Sequence, residues 1–292
     1  MMTLTSKEAH LFDATRCELG EGPLWHPELN ALFWFDVLGQ KLFMRSTTQF
    51  RQWLFPEIVS AAGWVDRDTL LVAGETTFWQ FDIATGAHEK HVPLDAHDAS
   101  TRSNDGRVDP WGGFWIGTMG KGAEKGAGGI HRYYRGAVTT LFSSITIPNA
   151  IAFAPDKSHA TFADTVTGQV MRIELDKTDG SPIGSPEVYL DLTIEGRNPD
   201  GAVFDADGRL WLAEWGSSRV ACYAPDGSVL AEVTAPTPHT SCPAFGGDDR
   251  RTLFITTAQE HLSPTDPGFE KAGQTFCAQV DATGQREHQV TL

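Results

Sequence analysis

A chain of 292 residues is long enough for two ordinary domains or for one large β architecture. Its 38 acidic against 23 basic side chains give a net charge of −15 at neutral pH, so nucleic acid and anionic lipid surfaces are repelled at long range. With 40% apolar and 21% charged residues the sequence is not that of a disordered chain, and its 29 glycines and 16 prolines predict many tight turns.

The first eight residues, Met1 to Glu8, contain neither an apolar h-region nor a small-residue cleavage site. No window approaches the roughly 18 apolar residues that a membrane span requires. The expected location is therefore the cytoplasm, with no membrane partner. The four cysteines (Cys17, Cys222, Cys242, Cys277) lie far apart and form no Cys-x-x-Cys pair, so they are expected to be reduced packing residues.

After a strand-like segment at Ala9–Thr15, one unit recurs along the chain. It has a polar residue, two or three small or turn residues, an apolar residue, a turn and a second apolar run. The copies begin at Glu21, Ser60, Asn104, Asn149, Asp200 and Ser241, with spacings of 39, 44, 45, 51 and 41. The second runs are Ala31–Phe35, Leu70–Ala73, Phe114–Ile116, Ala160–Ala163, Leu210–Ala213 and Thr252–Ile255. A third strand-like segment follows each, as in Gln40–Arg45 and Arg219–Ala224, behind turn pairs such as Asp207-Gly208.

Three or four short strands about every 40 to 45 residues match the blade of a β-propeller. A sandwich also has many short strands, but it does not demand a register kept over six units. The fold class expected is all-β, a six-bladed β-propeller forming a single domain over residues 1–292. In it, Ala9–Thr15 closes the ring as the outer strand of the last blade.

Equivalent first residues of the blades form a ring at one mouth of the central channel. Here the ring is Glu21, Ser60, Asn104, Asn149, Asp200 and Ser241, all oxygen-bearing, while apolar residues occupy the fourth place after each. Two carboxylates with amide oxygens are the donors that a hard divalent cation prefers, and without a cation the carboxylates would repel. Taken singly, Asn104-Asp105-Gly106 or Asp200-Gly201 reads as a turn. Four ligand-type residues in one register point instead to an ion, with Ser60 and Ser241 lining the mouth. A second ring (Asp36, Glu75, Met119, Asp164, Glu214, Thr256) is expected to satisfy backbone N–H groups near the channel rather than to ligate.

These residues and their surroundings resemble a known family. Leu19 to Trp25, Arg102 to Pro110, Phe114 to Met119, Pro148-Asn149 and Phe245-Gly246-Gly247 are similar, in order, to motifs of the senescence marker protein, gluconolactonase and luciferin-regenerating enzyme family of regucalcin-like sugar lactonases. The resemblance implies a six-bladed propeller that hydrolyses a sugar lactone with one divalent metal ion. It implies Glu21, Asn149 and Asp200 as metal ligands and Arg102 and Asn104 as substrate-binding residues. Glu124 is the candidate for a further substrate contact. The family follows its ligand asparagine with glycine, whereas Ala150 follows Asn149 here, so a slightly different turn is expected.

Gly117–Gly129 breaks the dinucleotide fingerprint at Lys125 and is expected to be a mobile loop over the mouth. There is no Gly-x-Ser-x-Gly elbow and no His-Glu-x-x-His pair. In the expected chemistry the metal polarises the ester carbonyl and Asp200 is the general base. Oxygen donors favour Ca, Mg or Mn, and Zn or Fe(II) also fit such sites. The partner expected is a small sugar lactone, with the chain a monomer or weak homo-oligomer. Rival readings are a non-enzymatic calcium-binding or regulatory propeller, a protein scaffold, and another small-ester or organophosphate hydrolase.

Overall fold

The computed structural model describes residues 4–95 and 98–292. Six antiparallel sheets are arranged as the blades of a six-bladed β-propeller. Their innermost strands are Gly20–His26, Val59–Trp64, Thr101–Val108, Pro148–Phe153, Asn198–Phe204 and Thr240–Gly246. Among the described residues there are two short 3-10 turns, Thr165–Thr167 and Phe269–Lys271, and no α-helix. No helix is long and apolar enough to cross a membrane.

A blade is covered on both faces by its neighbours, so its second strand cannot afford alternation. Ala31–Asp36 is buried at every position, and Phe114–Gly120 likewise. Outer strands face solvent and alternate, as Phe50–Leu54 does. Large aromatics fill the space between blades: Trp34, Trp115 and Trp211 on second strands are among the largest fully buried side chains. Trp115 meets Phe153 of the next blade edge-on at 5.2 Å, and Trp211 meets Phe245 at 5.7 Å. Burying each such ring removes about 150–250 Å² from water, roughly 4–6 kcal/mol.

His10–Asp13 is the outermost strand of blade six, antiparallel to Thr275–Gln279, and Lys7–Glu8 adds a short parallel edge to blade five. Asp13 is also ion-paired with Arg45 of blade one. At the other terminus, residues 281–292 cross one end of the channel. Gln285 donates to the backbone oxygens of Phe153 and Phe204, Glu287 pairs with Arg107 at 3.0 Å, and the Thr291 N–H donates to Gly112. These partners lie at or beyond the far ends of the inner strands, so the tail covers that end. The mouth beside the ring positions lies at the other end.

The glycine-rich stretch differs from its expectation. Gly117 and Gly120 lie inside a strand, and Gly128 and Gly129 begin the next, leaving residues 121–127 as the connection. The glycines are there for close packing: a Cβ on Gly117 would stand 2.5 Å from Pro148 Cγ, and one on Gly128 would run into the Thr118 carbonyl oxygen.

Candidate functional site

In all six inner strands the pairing register shifts at or just after the ring position, for example between Glu21 and Leu24, between Ser103 and Gly106, and between Asn149 and Ala152. Such a bulge lets a strand turn a polar side chain into the channel while the next apolar residue keeps its place between blades. The residues after Glu21 and Asn149 take the same left-handed conformation, Gly22 at φ 56° and Ala150 at φ 54°. An alanine holds the conformation that glycine holds in blade one, which costs strain of about 1–2 kcal/mol.

The ring is stitched together by hydrogen bonds from blade to blade. Arg102 Nη1 donates to Asn104 Oδ1 at 2.9 Å, Asn104 Nδ2 to Asn149 Oδ1 at 3.0 Å, and Asn149 Nδ2 to Thr165 Oγ1 at 2.8 Å. The Thr165 hydroxyl in turn donates to the Pro199 carbonyl at 2.8 Å, beside Asp200. Every amide orientation in this wire is forced. Arginine can only donate, so Asn104 presents its oxygen to it. A carbonyl can only accept, so Thr165 spends its proton on Pro199 and accepts from Asn149. The Asn149 oxygen is thus left on the Asn104 side. The two ring serines belong to the same belt: Ser60 Oγ donates to the Asn104 carbonyl at 2.6 Å and Ser241 Oγ to that of Gly20 at 2.5 Å.

Glu21, Asp200 and Asp105 form a mutually repelling group. Asp200, Asn149 and Arg102 are only 5%, 4% and 7% exposed. Burial raises the Glu21 carboxyl above its ordinary range, Asp105 raises it further, and the Gly22 N–H only partly opposes this. Burial and then the charges of Glu21 and Asp105 push Asp200 well up. Asp105 is raised by burial to about 6, although it accepts from the Ile151 N–H at 2.8 Å. Burial works against the Arg102 charge, and the carboxylates of Glu260, Glu21 and Asp200 support it. Among the described residues no three His, Cys, Asp or Glu side chains form a ligand set by themselves. The donors gathered here include the amide oxygen of Asn149.

In the second ring, Asp36 and Asp164 satisfy backbone N–H groups. Asp36 accepts from the N–H groups of Leu19 and Gly39, and Asp164 from those of Thr146 and Ile147. Leu19 and Ile147 each stand two residues before a ring residue, so these carboxylates fix the approach of Glu21 and Asn149. Glu214 instead takes Arg197, Arg219 and the Tyr223 hydroxyl, and Glu75 takes Lys121 at 2.5 Å. Glu124 is exposed, and its carboxylate accepts from the N–H of Gly122 in its own turn. No described contact joins it to Arg102 or to the ring.

Three residues of the site were not singled out from the sequence. Asp105 was hidden in a turn-like Asn-Asp-Gly, whereas its place inside a strand of the repeat was the available signal. Thr165 stands directly after the second-ring residue Asp164. Glu260 lies on the long blade-six connection, which has no counterpart in the other units.

The family description "SMP-30/Gluconolactonase/LRE-like region" matches residues 19–259. The chain is 37% identical over 273 residues to a putative sugar lactone lactonase of Rhizobium meliloti, covering 92% of each. It is 34% identical over 290 residues to the L-arabinolactonase of Azospirillum brasilense, covering 95% of this chain and 93% of that one. A crystal structure described as a calcium-binding protein, regucalcin, from Agrobacterium tumefaciens superposes with a TM-score of 0.95 at 36% identity, over 100% of both chains. The chain belongs to the SMP-30/gluconolactonase/LRE-like family.

Proposed function

We propose that the protein hydrolyses a sugar aldonolactone to the aldonic acid at the ringed mouth of the channel, with one divalent cation. The observation that carries this reading is the wire Arg102–Asn104–Asn149–Thr165, which ends on the Pro199 carbonyl beside the buried Asp200, a carboxylate that repels Glu21. The donor set fits a hard cation: Glu21 and Asp200 bring charge and Asn149 an oriented amide oxygen. When bound there, the ion supplies Lewis-acid polarisation of the ester carbonyl. Similarity to relatives named as sugar lactone lactonase and L-arabinolactonase supports the substrate class.

Arg102 has spent Nη1 on Asn104 and on the Ser103 carbonyl. Its other N–H groups have no partner among the described residues and are free to hold sugar hydroxyls or the developing oxyanion. Asn104, with both amide atoms engaged, holds Arg102 and Asn149 in register. Asp200 takes one proton of the attacking water and passes it to the ring oxygen as the acyl C–O bond breaks, giving a free hydroxyl and a carboxylic acid that ionises by releasing the water's other proton to solvent. Glu124, exposed in the connection of residues 121–127, is the candidate for a further substrate contact.

The test is lactone hydrolysis followed by pH-stat over arabinono-, xylono-, glucono- and galactono-lactones, after chelation and re-addition of single metals. Activity lost on chelation and restored by one ion is expected, with Asp200→Ala inactive and Asn149→Ala weak in metal binding. Chelated protein as fast as untreated protein on every lactone defeats the metal reading. The calcium-binding description of the regucalcin structure favours a second reading, a non-enzymatic calcium-binding propeller. Tight calcium binding with no turnover of any lactone selects it.

A further inference from the structure

Residues 258–274, between the second and third strands of blade six, make the longest connection among the described residues on the face of the ring. Its first turn is pinned on both sides of Glu260. The N–H groups of Gln259 and Glu260 both donate to the Glu18 carbonyl at 2.9 Å, and His239 Nδ1 donates to the Glu260 carbonyl at 2.9 Å. His239 is stacked on Trp215, ring centres 4.2 Å apart and planes 16° from parallel. The peptide of Glu260 is therefore held between the run leading to Glu21 and an aromatic pair made by Trp215 of blade five and His239, which directly precedes the inner strand of blade six. The Glu260 side chain is half-buried, and its charge supports that of Arg102 and opposes those of Glu21 and Asp200.

We propose that Glu260 is a specificity-determining residue: its backbone is fixed at the mouth by Glu18 and the His239–Trp215 stack, and its carboxylate, 3.7 Å from His261 Nε2, accepts hydrogen bonds from substrate hydroxyls and rejects lactones that carry an anionic group. The inference rests on the lactone reading above. A hydroxyl can accept from Arg102 and donate to Glu260 at once, so a neutral polyol satisfies both. An anionic substituent has no proton to give and leaves two like charges facing each other. Formally, Glu21, Asp105, Asp200 and Glu260 against Arg102 leave three negative charges, and a divalent cation still leaves one. Neutralising Glu260 removes it.

The experiment uses the metal-loaded protein and a matched pair of probes, D-glucono-1,4-lactone and D-glucaro-1,4-lactone, which differ in a hydroxymethyl group against a carboxylate. Wild type is expected to favour the neutral lactone by about tenfold or more in kcat/KM, the scale of one like-charge contact. Glu260→Gln is expected to cut that preference by about fivefold or more, raising KM for the neutral probe and lowering it for the anionic one. Glu260→Asp, which keeps the charge, should retain most of the preference, and melting curves check that both variants fold. A Glu260→Gln preference within twofold of wild type overturns the inference while the lactone reading stands. A wild type that hydrolyses no lactone of either kind overturns both.

Discussion

The side-chain nitrogen of Asn104 donates to the side-chain oxygen of Asn149 at 3.0 Å, across the boundary between blades three and four. Neither amide is free to turn over, because Arg102 fixes one end of the wire and Thr165 the other. Thr165→Val keeps the side-chain shape and removes the acceptor for Asn149 Nδ2. Losing such an outer support lowers metal affinity by about 10- to 100-fold in comparable sites. Calorimetric titration of chelated protein with Ca or Mn is expected to show that loss, and an unchanged Kd would mean the wire does not orient Asn149.

Burial raises the carboxyls of Glu21, Asp105 and Asp200 above their unfolded values, and neighbouring negative charge raises Glu21 and Asp200 further. Between about pH 4 and the raised values, which for Asp105 is about 6, the cation-free folded state holds more protons than the unfolded chain. Its stability must then fall as pH rises through that window. A cation takes the place of those protons, so its stabilising effect should grow with pH. Melting curves with and without chelator are expected to lie close together at pH 5 and to separate by several degrees at pH 8. Equal separation at both values would show that the ion does not bind against these acids.

The number of blades was legible because a sheet covered on both faces needs an unbroken apolar second strand, and six such runs recur at similar spacing. The ring was legible for the same reason: a polar residue at a fixed offset from an apolar one stands out. What the repeat could not convey was where a carboxylate turns. Asp36 and Asp164 cap the backbone at Leu19 and Ile147, which depends on loops whose shape is not encoded in the register. Asp105 read as part of a turn because Asn-Asp-Gly so often is one. In the fold Gly106 continues the strand, where a Cβ would stand 2.6 Å from Ile116 Cδ1 and 2.8 Å from the Trp115 carbonyl oxygen. Glu260 belongs to a connection found once, so no repeat could point to it.

Gly22 and Ala150 share one backbone conformation but not one environment. A methyl on Gly22 would run into the Ser60 carbonyl oxygen and stand 3.0 Å from Phe35 Cδ2, at φ 56°. Gly22→Ala should therefore shift the bulge that aims Glu21, costing about 1–3 kcal/mol of stability, and should weaken metal binding. Ala150→Gly meets no such conflict and should leave the metal Kd within about twofold. Paired melting and titration experiments on the two variants check the asymmetry. Equal losses would show that left-handed strain alone governs both positions.

Toward the far end of the inner strands, Arg107 and Glu287 pair at 3.0 Å with side chains only 9% and 11% exposed, and this pair holds the C-terminal tail across the channel. Removing one partner of a buried pair leaves a charge that nothing compensates, typically about 3–5 kcal/mol. Glu287→Ala should consequently lower the melting midpoint by about 5 °C or more. If the unpaired charge causes the loss, Arg107→Met combined with Glu287→Leu should recover most of it, because a packed apolar pair carries no such penalty. A double variant as unstable as the single one would assign the loss to the tail's packing. In Glu287→Ala, which keeps the Arg107 charge that acts on Asp105, the metal Kd and the KM for a neutral lactone should stay within about twofold of wild type, since Glu287 lies at the end of the channel away from the ring.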